Sequence, residues 1–360
     1  MRKTKIANLF PVPSALEKAP TINYEGAPAF TRSPEEALVR VLTTGTFEPT
    51  FYANARDLAQ DATAIFQRFA DSDPRLLAQA IVYARNEGYM RLAPITALVY
   101  LSKVADHAAF YSAFRQTIKT PGDLQDFLTL VRVSKLRGMG RKIKTAAGGY
   151  LAQLSEYHAI KYGSESQQMS LRDMYRLVRP TLGHPVANGL ARYLVRGELD
   201  AEALPQVGAY ERFKATSDAS EMLECINAGR LPHEVVTAHI PNEPQLWTAA
   251  MYQMPIFALL RNLVTLYRHN VFEDHESAQY VRQTLTDPKR IAGSRLFPFR
   301  FLAAAQQAAK QNLPAAITQA LESAVELAVT NVPVLPGRVL IANDISGSMS
   351  AELSEKSDLT

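Results

Sequence analysis

The chain has little of what disulfide frameworks, membrane spans and secretion signals require. Its single cysteine, Cys225, allows no intramolecular disulfide and no multi-cysteine zinc site, which is typical of a reducing compartment. No stretch approaches the roughly 18 uninterrupted apolar residues of a membrane helix. The basic start is followed by only a few apolar residues before Pro11, too few for a signal-peptide core. We therefore expect a cytoplasmic protein in which Cys225 is a buried structural thiol.

Enzyme signatures are lacking as well. The sequence contains no Gly-x-x-x-x-Gly-Lys-Ser/Thr phosphate loop, no His-Glu-x-x-His and no Gly-x-Ser-x-Gly. Gly138-Met139-Gly140 lacks the third glycine and the strand context of a dinucleotide-binding fingerprint. The histidines are scattered along the chain. These absences predict a protein without catalysis of its own.

The composition is that of a folded protein, with 47% hydrophobic and 21% charged residues. A length of 360 residues exceeds one ordinary compact core, so one extended repeat-like body or two units are expected. The net charge of +4, with a pI near 9.0, becomes informative only where it is concentrated on one surface.

Most of the chain has the apolar periodicity of short amphipathic helices. Residues 1–32 are rich in proline and predict an extended N-terminal arm. A helix start follows at Ser33-Pro34-Glu35-Glu36, with an N-cap, a first-turn proline and acidic residues facing the helix dipole. Further helices are predicted at about 54–70, 74–87, 92–104, 106–118, 122–134, 141–158, 170–178, 185–196, 218–228, 245–267, 275–285, 297–311 and 314–330. No hairpin signal and no fixed repeat length are present, so the pattern predicts an all-α, irregular, HEAT-like solenoid over 33–330.

The pattern changes again at residue 331. A proline-containing linker leads into Arg338-Val339-Leu340-Ile341-Ala342, an apolar run suited to a buried strand. Residues 331–360 therefore predict the beginning of a second domain. Because about twenty residues are too few for an independent domain, we expect either a truncated form or a tail packed on the helical body.

The densest charge feature is a run of six basic residues. No acidic residue occurs between Asp126 and Glu156, whereas the same stretch contains Arg132, Lys135, Arg137, Arg141, Lys142 and Lys144. Two glycines within the run predict a loop that opens into a helix, where backbone N–H groups and the dipole also favour anions. The run is either a phosphate-binding surface or a solvated helix face with distant acidic partners.

Other cations follow downstream. Arg172 and Arg176 share one helix face with Arg179, and Lys161 lies between them and the basic run. Interleaved tyrosines could stack on unpaired bases, although ordinary helix packing is the favoured interpretation of any single tyrosine.

A candidate metal motif follows the predicted strand. Asp344, Ser346 and Ser348 place one carboxylate and two hydroxyls on the same side of a turn, which suits a hard cation such as Mg²⁺. Three oxygens do not complete an octahedron, so further ligands would have to come from elsewhere. A Ser/Gly-rich turn after a strand is the alternative interpretation.

Four ordered segments resemble the Ro autoantigen family, whose module is shared by telomerase, Ro and vault proteins. They are Gly138-Met139-Gly140-Arg141-Lys142, Ser170-Leu171-Arg172-Asp173-Met174-Tyr175-Arg176-Leu177, Met254-Pro255-Ile256-Phe257-Ala258-Leu259-Leu260-Arg261-Asn262-Leu263 and Ser294-Arg295-Leu296-Phe297-Pro298-Phe299-Arg300. With the Asp344-x-Ser346-x-Ser348 motif, the resemblance spans about residues 30–350. Leu171 stands where the family often has a histidine.

The resemblance implies a fold and a function. The helices would close into a ring with a basic hole beside a von Willebrand A-like domain, of which residues 331–360 are the truncated α/β beginning. Such a protein binds small noncoding Y RNAs on its outer surface and single-stranded 3′ ends of misfolded RNA in its hole. It acts in RNA quality control, in bacteria beside an exoribonuclease such as polynucleotide phosphorylase, and a ring within one chain implies a monomer.

The candidate RNA contacts are basic residues in the middle of the chain. The resemblance implies Arg141, Lys142, Lys144, Arg172 and Arg176, and the charge pattern adds Lys135, Arg137 and Lys161. A protein-binding scaffold is the alternative, since helical solenoids commonly present concave surfaces to other proteins.

Overall fold

A computed structural model describes residues 21–22, 26, 28–29, 33–45, 55–134, 138–163, 169–334, 337–343 and 347. The chain divides into two compact units. The first unit comprises Met1–Leu154 and Glu165–Ala187, and the second comprises Ser155–Ser164 and Asn188–Thr360.

The described residues of the first unit contain eight helices. They are α1 (Pro34–Thr44), α2 (Ala55–Ser72), α3 (Pro74–Asn86), α4 (Leu92–Leu101), α5 (His107–Thr117), α6 (Pro121–Val133), α7 (Arg141–Leu151) and α9 (Leu171–Val178). Each of α1 to α5 contacts the helix two places further along the chain, which is how stacked helix pairs pack. Buried Phe66, Phe110 and Phe127 form the centre of this stack, and each contributes about 1.5–3 kcal/mol by leaving water.

The second unit holds the remaining helices. They are α8 (Glu156–Tyr162), α11 (Pro205–Ala215), α12 (Ala219–Gly229), α13 (His233–Val236), α14 (Pro244–Tyr252), α15 (Ile256–Arg268), α16 (His275–Thr286), α17 (Pro288–Ser294), α18 (Pro298–Lys310) and α19 (Ala315–Ala328). Two 3₁₀ turns lie at Val271–Glu273 and Val329–Asn331, and α10 (Pro185–Arg196) crosses the boundary between the units. The core around α15 to α19 includes Leu266, Phe301 and Ile317.

The predicted helix start at Ser33 is confirmed in detail. The Ser33 hydroxyl accepts a hydrogen bond from the Glu36 N–H at 3.1 Å, and the Glu36 carboxylate accepts one from the Ser33 N–H at 2.9 Å. Each group satisfies a backbone donor that the first helical turn leaves unpaired. The nearly all-helical character of the chain is confirmed with it.

Two helices that the sequence predicts as continuous are interrupted. The helix expected over 141–158 ends at Leu151, and α8 begins after Ser155, whose hydroxyl accepts from the His158 N–H at 3.3 Å. The helix expected over 245–267 breaks before Pro255, which lacks an N–H and becomes the N-cap of α15.

The prediction of no hairpin is wrong at one place in the N-terminal arm. Strands β1 (Thr21–Ile22) and β2 (Pro28–Ala29) pair antiparallel, with Thr21 opposite Ala29. Between them Gly26 adopts a φ of 75°, which glycine accepts without strain. Most of the predicted arm, including residues 1–20, lies outside the described residues.

The prediction of a buried strand over 338–342 is also wrong. Residues 338–343 are in no strand, and Leu340 and Ile341 are 74% and 81% exposed. In the described part of the chain no strand pairs with this run. Its backbone N–H and C=O groups therefore lack the inter-strand hydrogen bonds that a buried strand requires.

Two further features bear on the class of protein. Cys225 is buried, as predicted, and burial raises the pKa of its thiol. Within the described residues no helix is long and apolar enough to span a membrane.

Candidate anion-binding surface

The start of α7 is a cationic helix end without a side-chain cap. Gly140 is the N-cap in an extended conformation, and it provides no side-chain cap. That turn contains no acidic residue and begins with Arg141 and Lys142. The N–H groups of a first turn have no partner within the helix, and together with the positive end of the helix dipole and the side-chain cations they favour an anion at this position.

The three cations of this turn differ in their surroundings. The Lys142 ammonium donates to the Val104 carbonyl at 2.5 Å and lies 5.1 Å from the centre of the Phe110 ring. Lys142 thus fastens α7 to the segment after α4. Arg141 is exposed and Lys144 is half-buried, and neither forms an ion pair with any described residue. The sequence predicts three equivalent phosphate contacts, whereas the geometry leaves Arg141 and Lys144 best placed for that role.

A groove between α5 and α7 adds residues that the sequence analysis missed. Its volume is about 590 Å³, and Tyr111, Arg115 and Tyr150 are among the side chains that line it. Thr145 and Gly149 form its α7 wall and lie on the same helix face as Arg141.

Arg115 is the cation of this groove. It is exposed and has no ion-pair partner in the described part of the chain. In the sequence, the only indication of this surface is the i, i+4 spacing of Tyr111 and Arg115, which places both side chains on one face of α5. It is easily overlooked, because helix packing produces the same spacing.

Helix α9 begins with a capping box. The Ser170 hydroxyl accepts from the Asp173 N–H at 3.1 Å, and the Asp173 carboxylate accepts from the Ser170 N–H at 3.0 Å. Arg172 and Arg176 are exposed on one face, as predicted. Leu171 is 1% exposed, so this position faces the core and presents no side chain to a ligand.

The packing of α7 against α9 places Arg141 and Arg172 far apart. The Tyr175 hydroxyl donates to the Leu151 carbonyl at 2.9 Å, and burial raises the pKa of Tyr175 to about 12. A Cβ on Gly148 would lie 3.6 Å from Pro180, so the two helices run in opposite directions here. Arg141 therefore lies about 10 Å along α7 from Gly148, beyond the C-terminal end of α9, while Arg172 lies at the other end of α9.

Lys161 belongs to the second unit. Its ammonium lies 2.7 Å from the Glu234 carboxylate, a pair that joins α8 to α13. Burial alone would lower the pKa of Lys161, but the hydrogen bond to Glu234 outweighs it and raises that pKa. Because Glu234 already pairs with this ammonium, Lys161 is not free to make the phosphate contact that the sequence predicts.

Several predicted site residues lie outside the described residues. They are Lys135, Arg137, Asp344, Ser346 and Ser348. In the ranges that the structure does describe, no three acidic, histidine or cysteine side chains come together as a metal site. The proposed magnesium ligands therefore stay a prediction.

The fold and this surface define a helical protein with exposed cations near the start of α7. The chain is similar to Ro proteins in sequence. The TROVE domain family matches residues 233–316. The RNA-binding protein RO60 of Deinococcus radiodurans is 29% identical over 368 residues, covering 94% of this chain and 68% of that protein. RO60 of Caenorhabditis elegans is 30% identical over 171 residues, covering 44% of this chain and 26% of that protein.

The fold is similar as well. The crystal structure of the Deinococcus radiodurans Ro (RSR) protein matches with a TM-score of 0.67 at 23% identity, covering 84% of this chain and 65% of that one. The resemblance to the Ro family is thereby confirmed, with residues 233–316 matching the TROVE domain family. It spans about two thirds of the Deinococcus relative.

Proposed function

We propose that this protein binds RNA, and that the start of α7 and the neighbouring α5–α7 groove form one contact surface. The observation that supports this most directly is the uncapped first turn of α7, where Arg141 and Lys144 have no ion-pair partner among the described residues. Arg115 extends the cationic surface into the groove, and Tyr111 offers a ring for stacking. Curated relatives are named RNA-binding proteins, which agrees with this chemistry.

The particular RNAs follow from the family resemblance. We propose small structured, Y-like RNA on the outer basic surface and single-stranded 3′ ends of misfolded RNA in a central hole. The protein would act as a ribonucleoprotein in cytoplasmic RNA quality control, beside an exoribonuclease such as polynucleotide phosphorylase and without catalysis of its own. Closure into a monomeric ring and Mg²⁺ binding by Asp344, Ser346 and Ser348 belong to the same proposal.

A protein scaffold is the second candidate, and one groove favours it. Between α3 and α5 lies a groove of about 730 Å³ that includes Val82 and Tyr83, and Tyr83 is 54% exposed. Exposed apolar surface of this kind is typical of protein contacts. The two functions differ in salt response, because phosphate contacts release counterions whereas an apolar interface is nearly insensitive to salt.

The test is RNA binding by a double variant, Arg141→Gln with Lys144→Gln. Lys142 is left unchanged because its contact with Val104 stabilises the packing of α7. The measurement is fluorescence anisotropy with a hairpin RNA at several salt concentrations. We expect weaker binding to every hairpin and a salt slope smaller by about one per lost contact.

A matched control makes the same change in charge elsewhere. Arg192 and Arg196 form an i, i+4 pair on α10, and the variant Arg192→Gln with Arg196→Gln should bind with the wild-type slope. Equal effects of the two double variants would show that only net charge matters and would refute the α7 surface. A shallow slope for the wild type would favour the scaffold.

A further inference from the structure

A second cationic groove lies between α15 and α18 in the second unit. Its volume is about 640 Å³. Three arginines line it, Arg261 and Arg268 from α15 and Arg300 from α18. The wall from α15 is one helix face, since Phe257, Arg261 and Arg268 follow steps of four and seven residues. The opposite face of α15 is buried in the core of the unit, so these side chains are directed into the groove.

The charge of this groove is uncompensated. Neither α15 nor α18 contains an acidic residue, and no acidic side chain lines the groove. None of its three arginines forms an ion pair within the described residues; Arg268 donates to the Gln311 side chain at 3.3 Å. Like charges in one groove repel each other, and an anionic ligand removes that repulsion.

Aromatic rings hold two of the arginines in place. The Arg261 and Arg300 guanidinium groups each lie 5.8 Å from the centre of the Phe257 ring, and Arg300 lies 4.9 Å from that of Phe299. Phe257 is 40% exposed and Phe299 is 44% exposed. Cation–π contacts order the guanidinium groups before a ligand arrives, which lowers the entropy cost of binding.

This combination matches the chemistry of single-stranded RNA. Phosphates require cations without acidic competitors, and unpaired bases stack on aromatic rings and on guanidinium planes. A duplex presents phosphates but keeps its bases stacked inside, so it would leave the exposed phenyl rings unused. An acidic peptide would likewise use the cations alone.

We propose that the α15–α18 groove binds single-stranded RNA, with Arg261, Arg268 and Arg300 contacting phosphates and Phe257 stacking on an unpaired base. The proposal rests on RNA binding as the function and adds a contact surface in the second unit. It is separate from the α7 surface, which uses other residues of the first unit.

The test compares two groove variants of the full chain, Arg261→Gln with Arg300→Gln, and Phe257→Leu. The probes are a fluorescent twelve-nucleotide oligoadenylate and a blunt RNA duplex of the same length. We expect each variant to lose roughly ten-fold in affinity for the single strand, the size of one lost stacking or phosphate contact. The arginine variant should lose less affinity for the duplex than for the single strand. Phe257→Leu should bind the duplex with wild-type affinity.

The control is Arg212→Gln with Arg230→Gln, two exposed arginines of the second unit outside the groove. It should bind the single strand within two-fold of wild type, and unchanged thermal unfolding excludes misfolding of the variants. Single-strand binding by the groove variants within two-fold of wild type overturns the proposal. Equal competition by polyglutamate of the same charge, with no effect of Phe257→Leu, overturns it in favour of a protein ligand.

The outcomes separate this proposal from RNA binding itself. If the hairpin still binds through Arg141 and Lys144 while the groove variants change nothing, only the groove assignment fails. If the wild-type chain binds neither hairpin nor single strand, the proposed function fails and the groove assignment fails with it.

Discussion

The carboxylate of Asp123 provides the sharpest stability prediction in the molecule. Its side chain is 1% exposed, and it accepts hydrogen bonds from Arg85 at 2.8 Å and from Arg91 at 2.8 Å. It also accepts from the backbone N–H groups of Lys119 at 3.1 Å and Thr120 at 3.0 Å. These bonds join the end of α3, the start of α4 and the start of α6. We predict that Asp123→Asn strongly destabilises the first unit.

The magnitude follows from what the substitution leaves behind. An asparagine keeps the shape but removes the charge, and its amide N–H₂ replaces one of the oxygens that accept from Arg85 or Arg91. Removing one partner of a buried ion pair costs about 3–5 kcal/mol. With a melting temperature change of about 2–4 °C per kcal/mol for a unit of this size, the expected decrease is about 6–20 °C.

The same carboxylate makes stability depend on pH. Burial alone would raise the pKa of Asp123, but the hydrogen bonds from Arg91, Lys119 and Thr120 and the charge of Arg85 outweigh it and lower that pKa. A lowered carboxyl pKa stabilises the fold fully above the unfolded value of about 3.9 and loses this effect as pH falls through the folded value. When the pH is lowered from 5, the melting temperature of Asp123→Asn should therefore decrease less than that of the wild type.

Thermal unfolding by circular dichroism from pH 7 to acid measures both effects. The matched control is Asp61→Asn, which makes the same chemical change at an exposed carboxylate of α2 without an ion pair to another described residue. The control should melt within about 2 °C of wild type, as surface substitutions usually do. A melting temperature for Asp123→Asn equal to that of the control would refute the reasoning.

Two smaller predictions test local geometry. Arg230 follows α12 with a φ of 43°, so Arg230→Gly should raise the free energy of unfolding by about 1 kcal/mol, measured by urea titration, whereas Arg230→Ala should not raise it. Lys161→Ala should leave hairpin affinity within two-fold of wild type, because Glu234 already pairs with that ammonium. It should also cost at most about 1 kcal/mol of stability, since both side chains are partly exposed. A large loss of RNA affinity in this variant would show that phosphate replaces Glu234 in the complex.

The sequence predicted helices well where the signal was local. The cap at Ser33 was predicted because the residues that satisfy a helix end lie within three positions of it. The short helices α11, α13 and α17 were missed, since four to eleven residues give a weak periodic signal. Their stability comes from packing against distant residues, which a local window does not contain.

The site was predicted less completely, for a related reason. A run of basic residues is visible in the sequence, but the partner of each cation is set by tertiary contacts. Lys142 meets Val104, which lies 38 positions earlier, and Lys161 meets Glu234 on another helix. Neither pairing has a local signature. Arg115 was missed because it stands alone in the sequence and joins the cationic surface only when α5 packs beside α7.

Both proposed RNA-contact surfaces lie in segments that lack acidic residues. The start of α7 lies in a stretch without acids, and the same is true of both helices that form the α15–α18 groove. Lys161 shows the contrast, since it is as basic as its neighbours in sequence but has Glu234 within reach. A cation contributes to an anion site only when no carboxylate can neutralise it. This is why Arg141 at the start of α7 and the arginines of the α15–α18 groove are the ones proposed as phosphate contacts.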